Sequence, residues 1–271
     1  MRLLVAGGER VDAGKTTFST GLCAHVDATG FKPRAGNDYW FDHDDYERAV
    51  DDDRMYGKDA RRLAAASAAD VAPEAINPLH RLWRPSQGSG SGLIGASHRE
   101  FVLDRVTVDG ADEYVVHADA DVPASAREHL PLADATTVDS VAAFNDVMRD
   151  RHSTALAAAA DAIRDRDRVV VESYGDVAVP LTEVAFDAVA VVDPGRARVY
   201  DGDRYAKARE VVGGSARQGR LEETTGDVVE HCDPRATVAL PALSSDERAN
   251  PDAVADAYEV AYDALVSTAL A

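Results

Sequence analysis

Gly14-Lys15-Thr16-Thr17, standing behind Gly7-Gly8, is the stretch of this 271-residue chain best suited to chemistry on phosphates. Backbone amides of a turn ahead of a helix make an anion site, because unpaired N–H groups and the helix dipole converge there. In that setting Lys15 would bridge the β and γ phosphates of a nucleotide, and Thr16 would place its hydroxyl on Mg²⁺. The spacing is unusual. The common phosphate-loop pattern has four residues between its first glycine and Gly-Lys-Thr. Here five residues, 9–13, separate Gly8 from Gly14.

Two further pieces could complete such a site. In "VVVESYG" an apolar run ends in Glu172, which could reach Mg²⁺ directly or through water. Its other reading is an ordinary acid at a strand exit. In "GFKPRAGND" Lys32 leaves a second extended piece at the edge where α/β enzymes build sites. A cation there could stabilise charge on a transferred phosphoryl group. The other reading of Lys32 is a solvated surface lysine.

These residues need a parallel sheet to bring them to one edge. "RLLVAG" reads as a buried strand, residues 14–30 as a helix ended by Gly30, and "FKPRAG" as a short extended piece. Strand, turn, helix, strand is a βαβ unit, which implies parallel pairing. Residues 37–72 read as acidic and helical, and 86–92 as a flexible connector. Residues 99–119 read as a β-hairpin about "DGAD", which breaks the βα rhythm, so about 86–135 is expected as an inserted lid. A long helix is expected over 136–165, and buried strands over 167–173, 186–193 and 236–242. Residues 210–232 read as a surface loop and 250–270 as an amphipathic closing helix with Pro251 in its first turn. The expected fold is therefore α/β. It is a single P-loop NTPase domain over 1–271 with a mostly parallel sheet flanked by helices, plus the β-hairpin insertion at 86–135.

Taken together, the pieces resemble dethiobiotin synthetase, whose phosphate loop also has five residues between its first glycine and Gly-Lys-Thr. That family often carries an acid two before the second glycine, where this chain has Asp12. Its Gly-aromatic-Lys-Pro run matches Gly30-Phe31-Lys32-Pro33, with Lys32 in the place of the catalytic lysine. A metal-binding Asp followed by Asn-Pro matches Asp59 and Asn77-Pro78, and the strand exit whose Glu binds metal matches Glu172, with Pro180-Leu181 after it. The resemblance covers about 1–80 and 150–195. It implies that ATP phosphorylates a carbamate on a diamine, which then closes to a ureido ring. It also implies Mg²⁺ on Thr16, Asp59 and Glu172, charge neutralisation by Lys15 and Lys32, and a homodimer. Nucleotide contacts are expected over Gly8, Asp12, Ala13, Gly14, Lys15, Thr16 and Thr17. The chain departs from the family on the substrate side, with Ser173-Tyr174-Gly175-Asp176 in place of a glycine-rich run and Arg34-Ala35-Gly36-Asn37 after Pro33.

Composition narrows the partners. There are 48 acidic residues against 29 basic ones, a net charge of −19 spread along the chain, which repels nucleic acid and anionic membranes. An acidic, salt-adapted surface and a small-molecule substrate are expected. Lysine occurs only at positions 15, 32, 58 and 207, so two of the four fall in the motifs above. The start is too quickly polar for a signal peptide, and there is no apolar run of about 18 residues, so a cytoplasmic protein is expected. Cys23 and Cys232 have no metal or redox spacing. Metal sites in "FDHDDYE" or among His80, His98 and His117 are set against a solvated acidic segment and dispersed histidines. Trp40 and Trp83 read as packing residues. Two rival functions remain. One is a partitioning-type nucleotide-switch ATPase, whose signature lysine would stand where Arg10 does. The other is a polynucleotide 5′-hydroxyl kinase, whose loop spacing is similar but which needs a basic groove. Nucleotide binding without turnover is a third reading.

Overall fold

The computed structural model describes residues 1–8, 14–86, 99–213 and 222–271. Its strands are β1 (Arg2–Gly7), β2 (Thr29–Phe31), β3 (Arg34–Asp38), β4 (Leu79–Pro85), β5 (Arg99–Val108) and β6 (Ala111–His117) in the first half. They continue as β7 (Thr136–Val138), β8 (Val169–Glu172), β9 (Ala188–Asp193), β10 (Arg196–Asp201) and β11 (Ala236–Ala239). Two mixed sheets result, ordered β11-β10-β9-β1-β8-β2 and β3-β4-β5-β6-β7. The chain divides into two compact units. Met1–Pro33, Arg62–Val71 and Ala160–Ala271 form the first, Arg34–Arg61 and Ala72–Ala159 the second. Among the described residues no helix is long and apolar enough to cross a membrane.

In the first unit β1 is central. It runs parallel to β8 with Val5 opposite Glu172, and parallel to β9 with Gly7 opposite Val192. Leu3, Leu4 and Val5 in β1 and Val169–Val171 in β8 are buried, as strands covered on both faces require. In the expected mostly parallel sheet the one exception is β10: β2, β8, β1 and β9 pair in parallel, whereas β10 runs antiparallel between β9 and β11. The cause is local. Asp193-Pro194-Gly195-Arg196 is a tight turn with Gly195 at φ 77°, so β10 folds straight back on β9 instead of leaving through a crossover helix. β11, expected as a buried strand, is a partly exposed edge. The loop expected over 210–232 is in part helical, since helices occupy Gly202–Gly213 and Thr225–Val229; residues 214–221 lie outside the described residues.

Helix α1 (Lys15–Val26) stops four residues short of Gly30. Asp27 adopts the left-handed conformation at φ 52° and its N–H bonds Cys23 O, closing the helix, while Gly30 becomes part of β2 with Leu63 in the space a side chain would fill. The closing helix Pro251–Ala269 lies on α1: Tyr262 donates to Phe18 O at 2.9 Å, and the two rings meet edge-on at 4.8 Å. Gly21 makes that approach possible, because a Cβ there would stand 2.5 Å from Val254 Cγ1 and 2.6 Å from the Tyr262 hydroxyl. Helix propensity favours Gly21→Ala by about 1 kcal/mol, but overpacking costs about 1–3 kcal/mol. A net loss of up to about 2 kcal/mol is expected in urea unfolding. An unchanged or raised midpoint would show that the two helices give way freely.

The hairpin of the expected 86–135 insertion falls in the second unit, Arg34–Arg61 and Ala72–Ala159. Pro33 has no N–H for a ladder, and directly after it β3 pairs in parallel with β4, not with the first sheet. The hairpin is present where alternation placed it, turning at Asp109 (φ 51°) and Gly110 (φ 80°), but it is the middle of a five-stranded sheet. Alternation marks a strand without naming its partner. The long helix expected over 136–165 starts later. Residues Thr136–Val138 pair with β6, Ser140 caps the helix by accepting from Ala143 N, and a π turn at Met148–His152 interrupts it before Ser153–Arg164. Of the connector at 86–92, all but Ser86 lies outside the described residues.

A buried ion cluster ties this sheet to that helix. Arg81 holds Asp104 through two bonds of 2.6 and 2.7 Å, and His152 Nε2 stands 3.2 Å from the same carboxylate. Burial alone would raise the Asp104 carboxyl, but Arg81, with His152, carries it below the ordinary 3.8. A depressed carboxyl stabilises the fold above its unfolded value and loses that contribution as pH falls through the folded one. Acid unfolding of the wild type should therefore steepen below about pH 4, and Asp104→Asn should flatten that slope while lowering stability at pH 7. Stability-versus-pH curves for the two proteins check it, and parallel curves would refute it.

Candidate functional site

The carboxyl ends of β1 and β8 and the start of α1 carry the candidate site. At the end of β1, Gly8 N–H bonds Val192 O at 3.1 Å, extending the β1–β9 ladder one residue. Residues 9–13, including the expected contacts Asp12 and Ala13, lie outside the described residues. The chain is described again at Gly14, the residue before α1, in the left-handed conformation at φ 84°. A side chain there would cost about 1–2 kcal/mol, so glycine is dictated by the backbone. Its carbonyl accepts from Phe18 N at 3.0 Å and begins the helix.

Lys15 is the first helical residue. It is buried, and its ammonium donates to Gly175 O at 2.7 Å. Thr16 donates its hydroxyl to Glu172 Oε1 at 2.8 Å. Lys32, just past β2, donates to the same oxygen at 2.6 Å. The pairing of β2 and β1 with β8 makes this meeting possible across 140 residues of sequence. Lys32 is 5% exposed and Glu172 0%, so the solvated-lysine reading does not hold. Glu172 Oε2 is also buried and accepts no hydrogen bond among the described residues. Burial, with the charge of Glu172 second, pushes the Cys23 thiol far above its usual range, so Cys23 is an inert core residue. Thr17 faces Arg62 at 3.5 Å, and Arg62 also bonds Arg248 O.

Other features were not read from the sequence. The segment after Glu172 is held firmly: Ser173 bonds Val5 O and Val177 O, and Tyr174 donates to Glu222. Residues 176–178 are tied to 223–225 by backbone bonds. At Gly8 a Cβ would collide with the Asp193 carboxylate, which Arg196 and Arg198 hold at 3.0 and 3.1 Å. The Pro-Gly pair in that turn was a usable signal for the hairpin. The carbonyl that receives Lys15 had no sequence signal, since any residue supplies one.

Asp59 and Asn77 belong to the second unit. Asp59 is in the first turn of the helix Lys58–Ala66, whose Lys58 N–H bonds Asp45 at 2.5 Å. Burial first, then the charges of Asp38, Asp45 and Asp59, raise the Asp42 carboxyl, so that corner is densely acidic. Asn77 is buried; its backbone and side-chain oxygens accept from Arg105, and its amide donates to Leu79 O. His80 bonds the Asn77 side chain at 3.2 Å. Among the described residues no group of three or more His, Cys, Asp or Glu side chains is placed to hold a metal ion.

The fold and site thus define an α/β protein with a glycine-bounded helix start facing a buried lysine–glutamate pair. Comparisons with protein-family models, curated proteins and solved structures find no match.

Proposed function

We propose that the chain binds Mg²⁺–ATP and transfers its γ-phosphoryl group to a carboxylate- or carbamate-type oxygen of a small substrate, as the resemblance to dethiobiotin synthetase implies. The observation that carries this reading is the meeting of Thr16 and Lys32 on Glu172 Oε1, beside Lys15, at the start of α1. A strand that passes through a left-handed glycine into a helix suits a polyphosphate. Glu172 and Thr16 are hard oxygen donors of the kind Mg²⁺ prefers, and Oε2 of Glu172, without a hydrogen-bond partner among the described residues, is a ready ligand. Mg²⁺, when bound, would supply charge neutralisation for the phosphates. The chain's own part is to position and to neutralise: Lys15 to hold the β and γ phosphates, Lys32 to face charge developing on the transferred group. In a chain of net charge −19, two buried lysines at one sheet edge give an anion somewhere favourable to bind.

Ser173 and Tyr174, packed and bonded where the family has glycines, favour an acceptor other than the dethiobiotin precursor. A homodimer belongs to the same proposal. The test is ATP hydrolysis at high salt with and without a diamino acid plus bicarbonate. Stimulation supports the synthetase reading. Basal hydrolysis without stimulation removes that acceptor and leaves an ATPase, and no nucleotide binding at all removes the whole reading.

A further inference from the structure

We infer that Lys32 is a built-in stand-in for the divalent cation: without nucleotide its ammonium occupies the cation's place on Glu172, so the metal gains that carboxylate only when polyphosphate draws Lys32 away. This rests on the proposed nucleotide site and adds how the site is kept closed to free metal.

Glu172 is wholly buried, and a carboxylate out of water needs a cationic partner. Lys32 supplies it at 2.6 Å from Oε1, with its own side chain only 7% exposed. Lys15 is directed to the Gly175 carbonyl. Thr16 donates its proton to Oε1, which leaves the hydroxyl lone pairs for a cation, and the buried Oε2 accepts no hydrogen bond among the described residues. The oxygens around Lys32 are thus a partial set for a hard divalent ion. Both cations cannot use them together. Mg²⁺ binds oxygen at about 2.0–2.1 Å, which would set it beside an ammonium in a water-poor pocket, where like charges repel strongly. Lysine suits the exchange, being a compact charge on a flexible four-carbon stem that can turn from carboxylate to phosphate. Charge balance is kept at each stage, because Glu172 is neutralised first by Lys32 and then by the metal.

The test compares Mn²⁺ binding without nucleotide, by calorimetry and by electron paramagnetic resonance, in wild type, Lys32→Gln and the double variant Lys32→Gln/Glu172→Gln. Lys32→Gln should bind Mn²⁺ at least about tenfold more tightly than wild type, because its buried carboxylate lacks a counter-charge. Its Tm should fall by roughly 10 °C and be largely restored by Mg²⁺, whereas wild type should hardly respond. The double variant should bind no Mn²⁺ at this site. Equal Mn²⁺ affinity in wild type and Lys32→Gln overturns the inference. Should Lys32→Gln not fold, wild type labelled with ¹⁵N-lysine carries the test, since four lysines give four ammonium signals. The Lys32 signal should stay unmoved by Mg²⁺ alone and shift with Mg²⁺ plus a non-hydrolysable ATP analogue. A shift with Mg²⁺ alone, or none with the complex, overturns the inference. Wild type that binds no analogue instead overturns the nucleotide reading, which the metal titrations do not depend on.

Discussion

Lys32→Ala should lower ATP turnover by about 10²–10³-fold per folded molecule while the dissociation constant for nucleotide changes by no more than about threefold. The argument starts from where the ammonium sits. In the ligand-free protein it is bonded to Glu172, 2.6 Å away and almost out of water, so the contact it gains on bound polyphosphate is offset by the one it gives up, and its net part in ground-state nucleotide affinity is small. Only interactions stronger in the transition state than in the ground state raise turnover, and a lysine that moves onto the transferring group is one of these. Removing a single preorganised charge contact of that kind typically costs about 2.7–4 kcal/mol of barrier. The measurement is kcat and KM for hydrolysis beside nucleotide Kd, at saturating Mg²⁺ and at a temperature where circular dichroism shows the variant folded. Equal loss of affinity and turnover would remove the transition-state role. Lys15→Ala is the contrast, since a lysine at the head of α1 should lose affinity first.

Arg105→Ala should destabilise the second unit by about 3–5 kcal/mol, the largest stability loss expected from any single change here. The guanidinium is 0% exposed. It donates to Met55 O at 2.7 Å, to Asn77 O at 2.6 Å and to the Thr107 hydroxyl, with Asp112 3.5 Å away. Burial pulls its pKa down, and Asp112 and Glu74 oppose that pull, so the charge is kept by its partners. One side chain therefore binds the segment before the helix Lys58–Ala66, the Asn77-Pro78 corner and the β5–β6 hairpin. Alanine would remove the donors that Arg105 gives to two backbone carbonyls and open a cavity besides. Arg105→Lys should recover only part of the loss, because an ammonium cannot match the planar fork. Guanidinium unfolding and hydrogen exchange of the β4, β5 and β6 amides check this. Unchanged protection there would show that Arg105 is not what joins these segments.

The local grammar of the chain was informative where short-range physics decides the outcome. An apolar strand, a glycine turn and a helix opening with Lys15 follow from residues 2–26, and β8 ending at Glu172 follows from three valines and an acid. The Asp109-Gly110 hairpin could be read because two residues at positive φ favour that dipeptide. The end of α1 misled, since Gly30 looked like a stop signal while Asp27 closed the helix three residues earlier.

What the sequence determined by itself was the identity of the elements and of the groups at their ends: Gly14, Lys15, Thr16, Lys32 and Glu172 each stand where a strand or helix begins or ends. What only the tertiary structure decided was partnership. It placed β3 beside β4 in a second sheet, folded β10 back on β9, buried Arg105 among carbonyls, and directed Thr16 and Lys32 to one oxygen of Glu172. The physical reason is range. Propensity, capping and periodicity act over a few residues, whereas strand pairing and the burial of charge are settled between segments 140 residues and more apart, where the free energy of the whole core chooses among partners that look alike locally.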